Sequence, residues 1–84
     1  MDINELKARA KNLDPVLRIG KNGLTENTIL EIEKLLKKRK LIKIKVLNNA
    51  PVEDVGELIE IARRRTSSAV VSVIGNVFSL YKER

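Results

Sequence analysis

The sequence predicts an α/β domain in which a mixed sheet carries helices mainly on one face. Apolar residues recur at helical spacing in three segments, and residues with strand-like alternation or β-branched composition follow each of them. A Gly-Asn pair near the C-terminus, between two β-rich runs, predicts a hairpin. The predicted order is α-β-α-β-α-β-β. With 84 residues, the chain 1–84 is expected to form a single compact sandwich.

The first helix is predicted over residues 3–13. Asp2 can cap its start, and Pro15 disfavours helix at the residue before it. Its apolar face consists of Ile3, Leu6, Ala10 and Leu13. The stretch PVLRIG that follows is predicted as a short strand with Arg18 on its polar face.

The second helix is predicted to begin after Thr25, a good N-cap residue, and to run to about Lys40. Its apolar stripe consists of Ile29, Ile32, Leu35 and Leu36. The stretch LIKIKVL then alternates with period two, which predicts a strand with one apolar face and a second face carrying Lys43 and Lys45. Solvent or a ligand is expected over that charged face.

The third helix is predicted to follow the turn-rich stretch NNAP, with Pro51 at its first position. Its buried stripe consists of Val52, Val55, Leu58, Ile59 and Ala62. The last two strands are joined by Gly75 and Asn76. Right-handed β-α-β crossovers then place helices on one face, and the other face is expected to be open or partly covered.

Composition excludes several classes of function. The chain has no cysteine and no histidine, which removes disulfides, thiolate chemistry, imidazole bases and nearly all zinc sites. A small domain leaves little volume for a water-excluding pocket, so no enzyme activity and no cofactor are predicted. No apolar run is long enough to span a bilayer and the N-terminal stretch is charged, so a cytoplasmic location without membrane association is expected.

The formal net charge of +6 favours a polyanionic partner. Four consecutive basic residues, KKRK, end the second helix and include Lys37, Lys38 and Lys40. Three more, with Arg63 and Arg64 among them, end the third helix. One or two cations would suffice to complement a helix dipole, so these clusters exceed that need. Each cluster taken alone is also compatible with a solvated helix end.

The loop Gly20-Lys21-Asn22-Gly23 lies between the first strand and the second helix, and two interpretations are open. Glycines without a Cβ, a helix N-terminus behind them and nearby basic residues are the parts of a phosphate-binding cradle. Alternatively, the loop is a tight turn that needs glycine for backbone reasons alone. The spacing fits neither a Walker loop nor a dinucleotide-binding fingerprint.

If the first two strands are neighbours, Arg18, Lys43 and Lys45 form a basic stripe that could continue into KKRK. Solvation of that face is the simpler alternative. Phe78 and Tyr81 are the only aromatic residues, which leaves little capacity for stacking bases. Phe78 is expected in the core, as is Tyr81, although Tyr81 could instead stack at the sheet edge. Affinity for a nucleic acid is expected to come from phosphate contacts and shape.

The stretch RIGKNGLTENTILEIEKLLKKRKLIKIKV and the ending ARRRTSSAVVSVIGNVFSLYKER resemble the CRM domain family (chloroplast RNA splicing and ribosome maturation), also called YhbY-like. The resemblance covers nearly the whole chain. It implies a fold similar to the C-terminal domain of bacterial initiation factor three. It also implies RNA binding through the GxxG loop and adjoining basic surface, with large-subunit ribosomal precursors as targets in bacteria and group II introns in plant organelles. One departure is Thr66-Ser67, where the family often has Thr-Gly; another is Leu80-Tyr81-Lys82, where it often ends Leu-Tyr-Arg.

The leading hypothesis is a non-catalytic, monomeric RNA-binding protein that acts on structured RNA, with ribosomal precursor RNA as its partner. The predicted RNA-binding residues are Arg18, Gly20, Lys21, Asn22, Gly23, Lys37, Lys38, Lys40, Lys43, Lys45, Arg63 and Arg64. An architectural protein of double-stranded DNA is the alternative, because small basic chromatin proteins have a similar element order. An enzyme or nucleotide-binding module that uses the loop for a mononucleotide is a third hypothesis, disfavoured by the lack of histidine, cysteine and a Walker lysine.

Overall fold

A computed structural model describes residues 2–83. The elements follow the predicted order: α1(Ile3–Lys11), β1(Leu17–Ile19), α2(Glu26–Arg39), β2(Leu41–Val46), α3(Val55–Thr66), β3(Ala69–Ile74) and β4(Val77–Tyr81). No helix in this part of the chain combines the length and the apolar character needed to cross a membrane.

The four strands form one mixed sheet in the order β1-β2-β4-β3. Strand β1 is parallel to β2, and β4 is antiparallel to both β2 and β3. The end of β2 lies between the end of β1 and the hairpin turn, because Val46 is paired with Ile19 and donates its N–H to the carbonyl of Asn76 at 2.7 Å. The loop after β1 and the β3–β4 turn are therefore at the same end of the strands. This end of the sheet is called the loop edge below.

Helices α2 and α3 cover one face of the sheet and enclose the main core. The apolar side of β2 contributes Ile42 and Ile44, and β4 contributes Phe78 and Leu80; all four are fully buried. The helices contribute Ile32, Leu36, Leu58, Ile59 and Ala62. The period-two and helical patterns thus place their apolar residues in one cluster, and Phe78 is a core residue as predicted.

Helix α1 lies on the opposite face and covers only part of it. Leu6 and Ala10 pack against Leu41 and Val71, with Tyr81 beside them. Val71 is the extra residue of a β-bulge between β3 and β4. The bulge places the Val71 side chain on the same face of the sheet as the polar Ser72. The prediction of helices mainly on one face is confirmed, and the partial cover of the second face is α1.

Two predicted helix boundaries were wrong. Helix α1 ends at Lys11, and Leu13 lies beyond it with 37% of its surface exposed. Helix α3 begins at Val55 rather than Pro51, because the Asp54 carboxylate accepts the N–H of Gly56 at 2.9 Å and acts as the N-cap. Residues 51–54 form a connection that packs beside the loop after β1.

Candidate nucleic-acid interface

The Gly20–Gly23 loop is a hydrogen-bonded turn. The Gly23 N–H donates to the carbonyl of Gly20 at 2.9 Å. Lys21 and Asn22, at the centre of the turn, have negative φ angles, as in a type I turn, and their side chains are exposed. The turn therefore presents its lysine and asparagine to solvent at the loop edge.

The two glycines of this loop have different structural roles. Gly23 has a φ of +67°, and a Cβ at this position would lie 3.2 Å from Pro51 Cγ. Gly20 lies outside the left-handed region, and a Cβ there would meet only Asn49 Oδ1 at 3.5 Å and Leu47 Cδ1 at 3.6 Å, which are ordinary contacts. The fold requires glycine at position 23 and leaves room for a Cβ at position 20. The need for a tight turn accounts for Gly23 and leaves Gly20 unexplained.

Helix α2 begins directly behind the loop. Its N-cap, Thr25, accepts the N–H of Thr28 through its hydroxyl at 3.2 Å. The carboxylate of the first helical residue, Glu26, would repel an anion bound at the loop. It forms an ion pair with the Arg65 guanidinium, with an N–O distance of 2.8 Å. The hydrogen bond from Arg65 holds the pKa of the Glu26 carboxyl below its usual value, and the same bond raises the pKa of the guanidinium. This pair compensates the negative charge beside the loop.

The polar face of β1 and β2 brings Arg18 and Lys45 side by side. The two residues are register partners in the parallel ladder, and both side chains are exposed. Lys43 is half-buried, and its ammonium group donates to the Ala10 carbonyl at 3.1 Å. Because Ala10 is in the last turn of α1, Lys43 compensates the negative end of that helix. Two residues of the predicted basic stripe, Arg18 and Lys45, are thus exposed. The third, Lys43, is hydrogen-bonded to α1.

The basic ends of α2 and α3 both lie toward the opposite edge of the sheet, where β2 and β3 begin, called the helix-end edge below. Lys82, just after β4, donates its backbone N–H to the Lys40 carbonyl and its ammonium group to the Thr66 carbonyl, each at 2.9 Å. Lys37, Lys38 and Lys40 are exposed there, as is Arg64. Lys82 thus links the ends of two helices whose basic clusters are 23 or more positions apart in the chain.

Arg63 is bound to a carboxylate within its own helix. Its guanidinium forms a two-point contact with Glu60, including a 3.0 Å bond from Nε to Oε1. This contact lowers the pKa of the Glu60 carboxyl and raises that of Arg63. Both side chains are partly exposed, so the pair adds little to stability, and Arg63 would have to exchange or share this partner to bind a phosphate.

Eleven of the twelve predicted site residues fall into two groups, and the twelfth, Lys43, lies within β2 and is bound to α1. The loop-edge group contains Arg18, Gly20, Lys21, Asn22, Gly23 and Lys45. The helix-end group contains Lys37, Lys38, Lys40, Arg63 and Arg64. Helix α2, with 14 residues, separates its own basic end from the loop by about 21 Å, whereas Arg65 at the end of α3 reaches Glu26 at the start of α2. On the open face α1 packs over Leu41, so the stripe expected to run into KKRK is interrupted there.

Two basic residues of α1 were missed by the sequence analysis. Lys7 and Lys11 line a groove with Lys43 and Lys45. Nothing in the sequence places α1 over the sheet. No local pattern could therefore have predicted that the lysines of α1 lie beside those of β2. Over residues 2–83, no group of three or more acidic side chains is placed to hold a metal ion. The arrangement is suited to binding an extended anion at separated points.

The chain is similar to several known proteins. The model of the CRS1 / YhbY (CRM) domain matches residues 1–82. "Probable RNA-binding protein YqeI" of Bacillus subtilis is 38% identical over 78 residues, which cover 93% of this chain and 80% of that protein. An "RNA-binding protein" of Haemophilus influenzae is 42% identical over 77 residues, covering 92% of this chain and 77% of the relative.

A solved structure has the same fold. The solution structure of SAV1595 from Staphylococcus aureus, described as a candidate RNA-binding protein, superposes with a TM-score of 0.80 at 40% sequence identity. The alignment covers 98% of this chain and 84% of the other. The family model, the relatives and the fold lead to one conclusion: the chain belongs to the CRS1/YhbY (CRM) domain family.

Proposed function

We propose that this protein is a non-catalytic RNA-binding protein whose GxxG loop and adjoining basic residues hold the backbone of structured RNA. The observation that carries the proposal is Gly20, a glycine that neither backbone conformation nor packing requires. It lies between Arg18 and Lys21, both exposed. A position without a Cβ beside two cations lets a phosphate approach the main chain closely.

The choice of RNA is supported by the relatives, whose names describe RNA-binding proteins. The family resemblance adds ribosomal precursor RNA as the target and large-subunit maturation as the process. We include both in the proposal, together with a monomeric state and a cytoplasmic location. The net charge of +6 and the two basic edges supply attraction to phosphates without a catalytic group.

The loop is tested with Gly20→Ala and Lys21→Ala. Gly20→Ala should fold with unchanged or slightly higher stability, by up to about 1 kcal/mol, yet bind RNA more weakly. Lys21→Ala should weaken binding about fivefold and make the salt slope about 0.7 less steep, because it removes one phosphate contact. Affinities are measured by fluorescence anisotropy with a structured ribosomal RNA fragment, and folding by circular dichroism.

Lys34→Ala is the matched control, because it removes the same charge from an exposed site on α2 beside Glu31 and Glu33. If both loop variants bind RNA as tightly as the wild type at the same salt concentration, the loop is not the binding site. Competition with a duplex DNA of matched sequence tests the partner, since the 2′-OH distinguishes RNA from DNA. Preferred binding to DNA would replace RNA with DNA in the proposal.

Ribosome maturation is tested in the organism by crosslinking the protein to RNA in growing cells and sequencing the bound fragments. Enrichment of large-subunit precursor RNA is expected, and the Lys21→Ala variant should lose it. Enrichment of unrelated transcripts would retain RNA binding and reject the ribosomal role.

A further inference from the structure

A groove lies between the C-terminal part of α1 and the half of the sheet that α1 leaves uncovered. Its lining includes Lys11, Leu13, Lys43, Lys45, Ile74 and Val77. Its volume of about 660 Å³ is within the range of small-ligand sites, roughly 300–1,000 Å³. Two of its lining residues, Lys45 and Val77, are register partners close to the loop edge.

Part of the groove floor is apolar although it faces solvent, and Ser72 and the two lysines of β2 line the rest of it. Ile74 has 71% of its surface exposed, and it is the register partner of Val77. Leu13, on the opposite side of the groove, is 37% exposed. Apolar side chains that meet in a concave site typically indicate a contact surface. These aliphatic side chains could contact a flat apolar ligand in place of the aromatic rings that the chain lacks.

One row of side chains crosses all four strands on this face of the sheet. Arg18 is paired with Lys45, Lys45 with Val77, and Val77 with Ile74. Neighbouring strands are about 4.8 Å apart, so the row places two cations beside two apolar side chains over about 14 Å. Arg18 also lies two residues before Gly20, which puts the cationic end of the row next to the loop.

The charge around the groove selects an anionic ligand. Lys7, Lys11, Lys43 and Lys45 line it, with Asp14 as the acidic member. A ligand that fits must carry negative charge at one end of the row and a flat apolar surface at the other. A nucleotide has this division between its phosphate and its base. The base faces are available only where the nucleotide is unpaired and unstacked.

We propose that this groove binds an unpaired nucleotide of the RNA, next to the structured part held by the loop. The phosphate lies between Arg18 and Lys45, and the base rests on Val77 and Ile74. The contact is with the face of the base, so it distinguishes unpaired from paired RNA more than one base from another. This inference rests on the proposed RNA-binding function and adds the form of RNA that the protein prefers.

The test uses two RNA probes, a blunt duplex and the same duplex with a short single-stranded uridine extension. The wild type should bind the extended probe more tightly than the blunt one. Ile74→Ala should lower affinity for the extended probe about fivefold and leave affinity for the blunt duplex unchanged. Because it removes no charge, its salt slope should equal that of the wild type.

Val73→Ala is the matched control. Val73 is the preceding residue of the same strand and 52% exposed, but its register partner is the core residue Phe78, so it lies on the other face of the sheet. It should keep the preference for the extended probe. If Ile74→Ala disturbs the hairpin, as circular dichroism would reveal, Ile74→Thr keeps the β-branch and should also weaken binding of the extended probe selectively.

Three results would overturn the inference and leave the proposed RNA binding in place. The wild type could bind both probes equally, or Ile74→Ala could keep the preference for the extended probe. Either result would mean that the apolar side chains of the groove contact a protein partner instead. Val73→Ala could also lose the preference to the same extent, which would indicate a general effect on the hairpin. If the wild type binds neither probe, the RNA-binding function itself fails along with the inference.

Discussion

Gly20 and Gly23 occupy the same turn, yet only Gly23 is required by the fold. Glycine at position 23 has a positive φ and lies against Pro51, whereas position 20 has room for a Cβ. The alternatives of turn and phosphate cradle are therefore not exclusive. The tight turn depends on Gly23, and Gly20 remains available for a ligand.

Gly23→Ala should lower the free energy of unfolding by about 1–2 kcal/mol, because alanine is strained in the left-handed region. The crowding against Pro51 adds to this cost. Urea denaturation checks the value, with Gly20→Ala as the control that should lose no stability. Equal destabilisation of the two variants would contradict the assignment of separate roles.

Two buried hydroxyls on the C-terminal half of the chain differ in their hydrogen bonds. Within the described residues, Ser79 Oγ is fully buried and has no partner. The Thr66 hydroxyl donates to the Ala62 carbonyl at 2.8 Å and lies 2.8 Å from Ser68 Oγ. An unpaired buried hydroxyl costs free energy, whereas a paired one contributes to stability.

Ser79→Ala should therefore leave stability unchanged or raise it by up to about 1 kcal/mol. Thr66→Val, which keeps the shape but removes the hydroxyl, should lower stability by about 1–2 kcal/mol, because it removes a bond to the Ala62 carbonyl and takes this partner from Ser68 Oγ. Both values come from urea denaturation. A loss of more than about 1 kcal/mol in Ser79→Ala would mean that its hydroxyl is satisfied in solution.

At the scale of elements, the end of α3 explains a departure from the family pattern. Ser67 is the C-cap, with φ 53° and ψ 43°, and it stands where the family often has glycine. Its N–H donates to the last turn of the helix, as in a left-handed C-cap. The chain therefore adopts the conformation that glycine favours, using a residue that fits it less well.

Ser67→Gly should raise the free energy of unfolding by about 0.5–1 kcal/mol. Glycine relieves the strain of the left-handed conformation, and its larger backbone entropy in the unfolded chain offsets part of that gain. The midpoint of urea unfolding is expected to rise without a change in slope. Ser72→Gly, in the interior of β3, is the control and should be destabilising. A destabilised Ser67→Gly would show that the serine side chain has a role of its own.

Helix α1 depends on its contacts with the sheet, because nine residues are too few for a stable helix alone. Its apolar contacts form a small cluster separate from the main core, and Lys43 binds its C-terminal carbonyl. This helix also forms one wall of the groove proposed to bind an unpaired nucleotide.

Lys43→Met, which keeps the stem but removes the charge, should lower stability by about 1 kcal/mol and speed hydrogen exchange in α1. Lys45→Met is the control on the same strand, since Lys45 is exposed and should leave exchange in α1 unchanged. Unaltered protection of α1 in Lys43→Met would mean that its apolar cluster alone holds it.

At the scale of the whole molecule, two basic edges lie at the two ends of α2, about 21 Å apart. This separation allows the protein to contact two segments of an RNA backbone at once. The Arg65–Glu26 pair links α3 to α2, and the two bonds of Lys82 link the end of β4 to the ends of both helices.

If about five phosphates are neutralised, the logarithm of the RNA association constant should fall with the logarithm of salt concentration with a slope on the order of −3 to −4. Titrations at several salt concentrations measure this slope. The Lys34→Ala variant should reproduce it, because Lys34 lies outside both predicted groups. A slope near −1 would mean that a single edge, or a single residue, makes the phosphate contacts.

The sequence by itself determined the order of the elements and the main core. The periodicity of LIKIKV and of α2 is enough to show which apolar side chains lie on the same face of each element. The sequence also determined the basic clusters, the GxxG loop and the hairpin at Gly75. It placed the start of α3 wrongly at Pro51, since a local proline preference is weaker than the hydrogen bond made by the Asp54 cap.

Only the tertiary structure decided where α1 lies, which glycine the turn requires, and which basic residues meet. These depend on contacts between residues distant in the chain, such as Gly23 with Pro51, Lys43 with Ala10 and Lys82 with Thr66. No local pattern encodes such pairs. The groove of lysines and aliphatic side chains exists because α1 covers half of one sheet face and leaves the other half open.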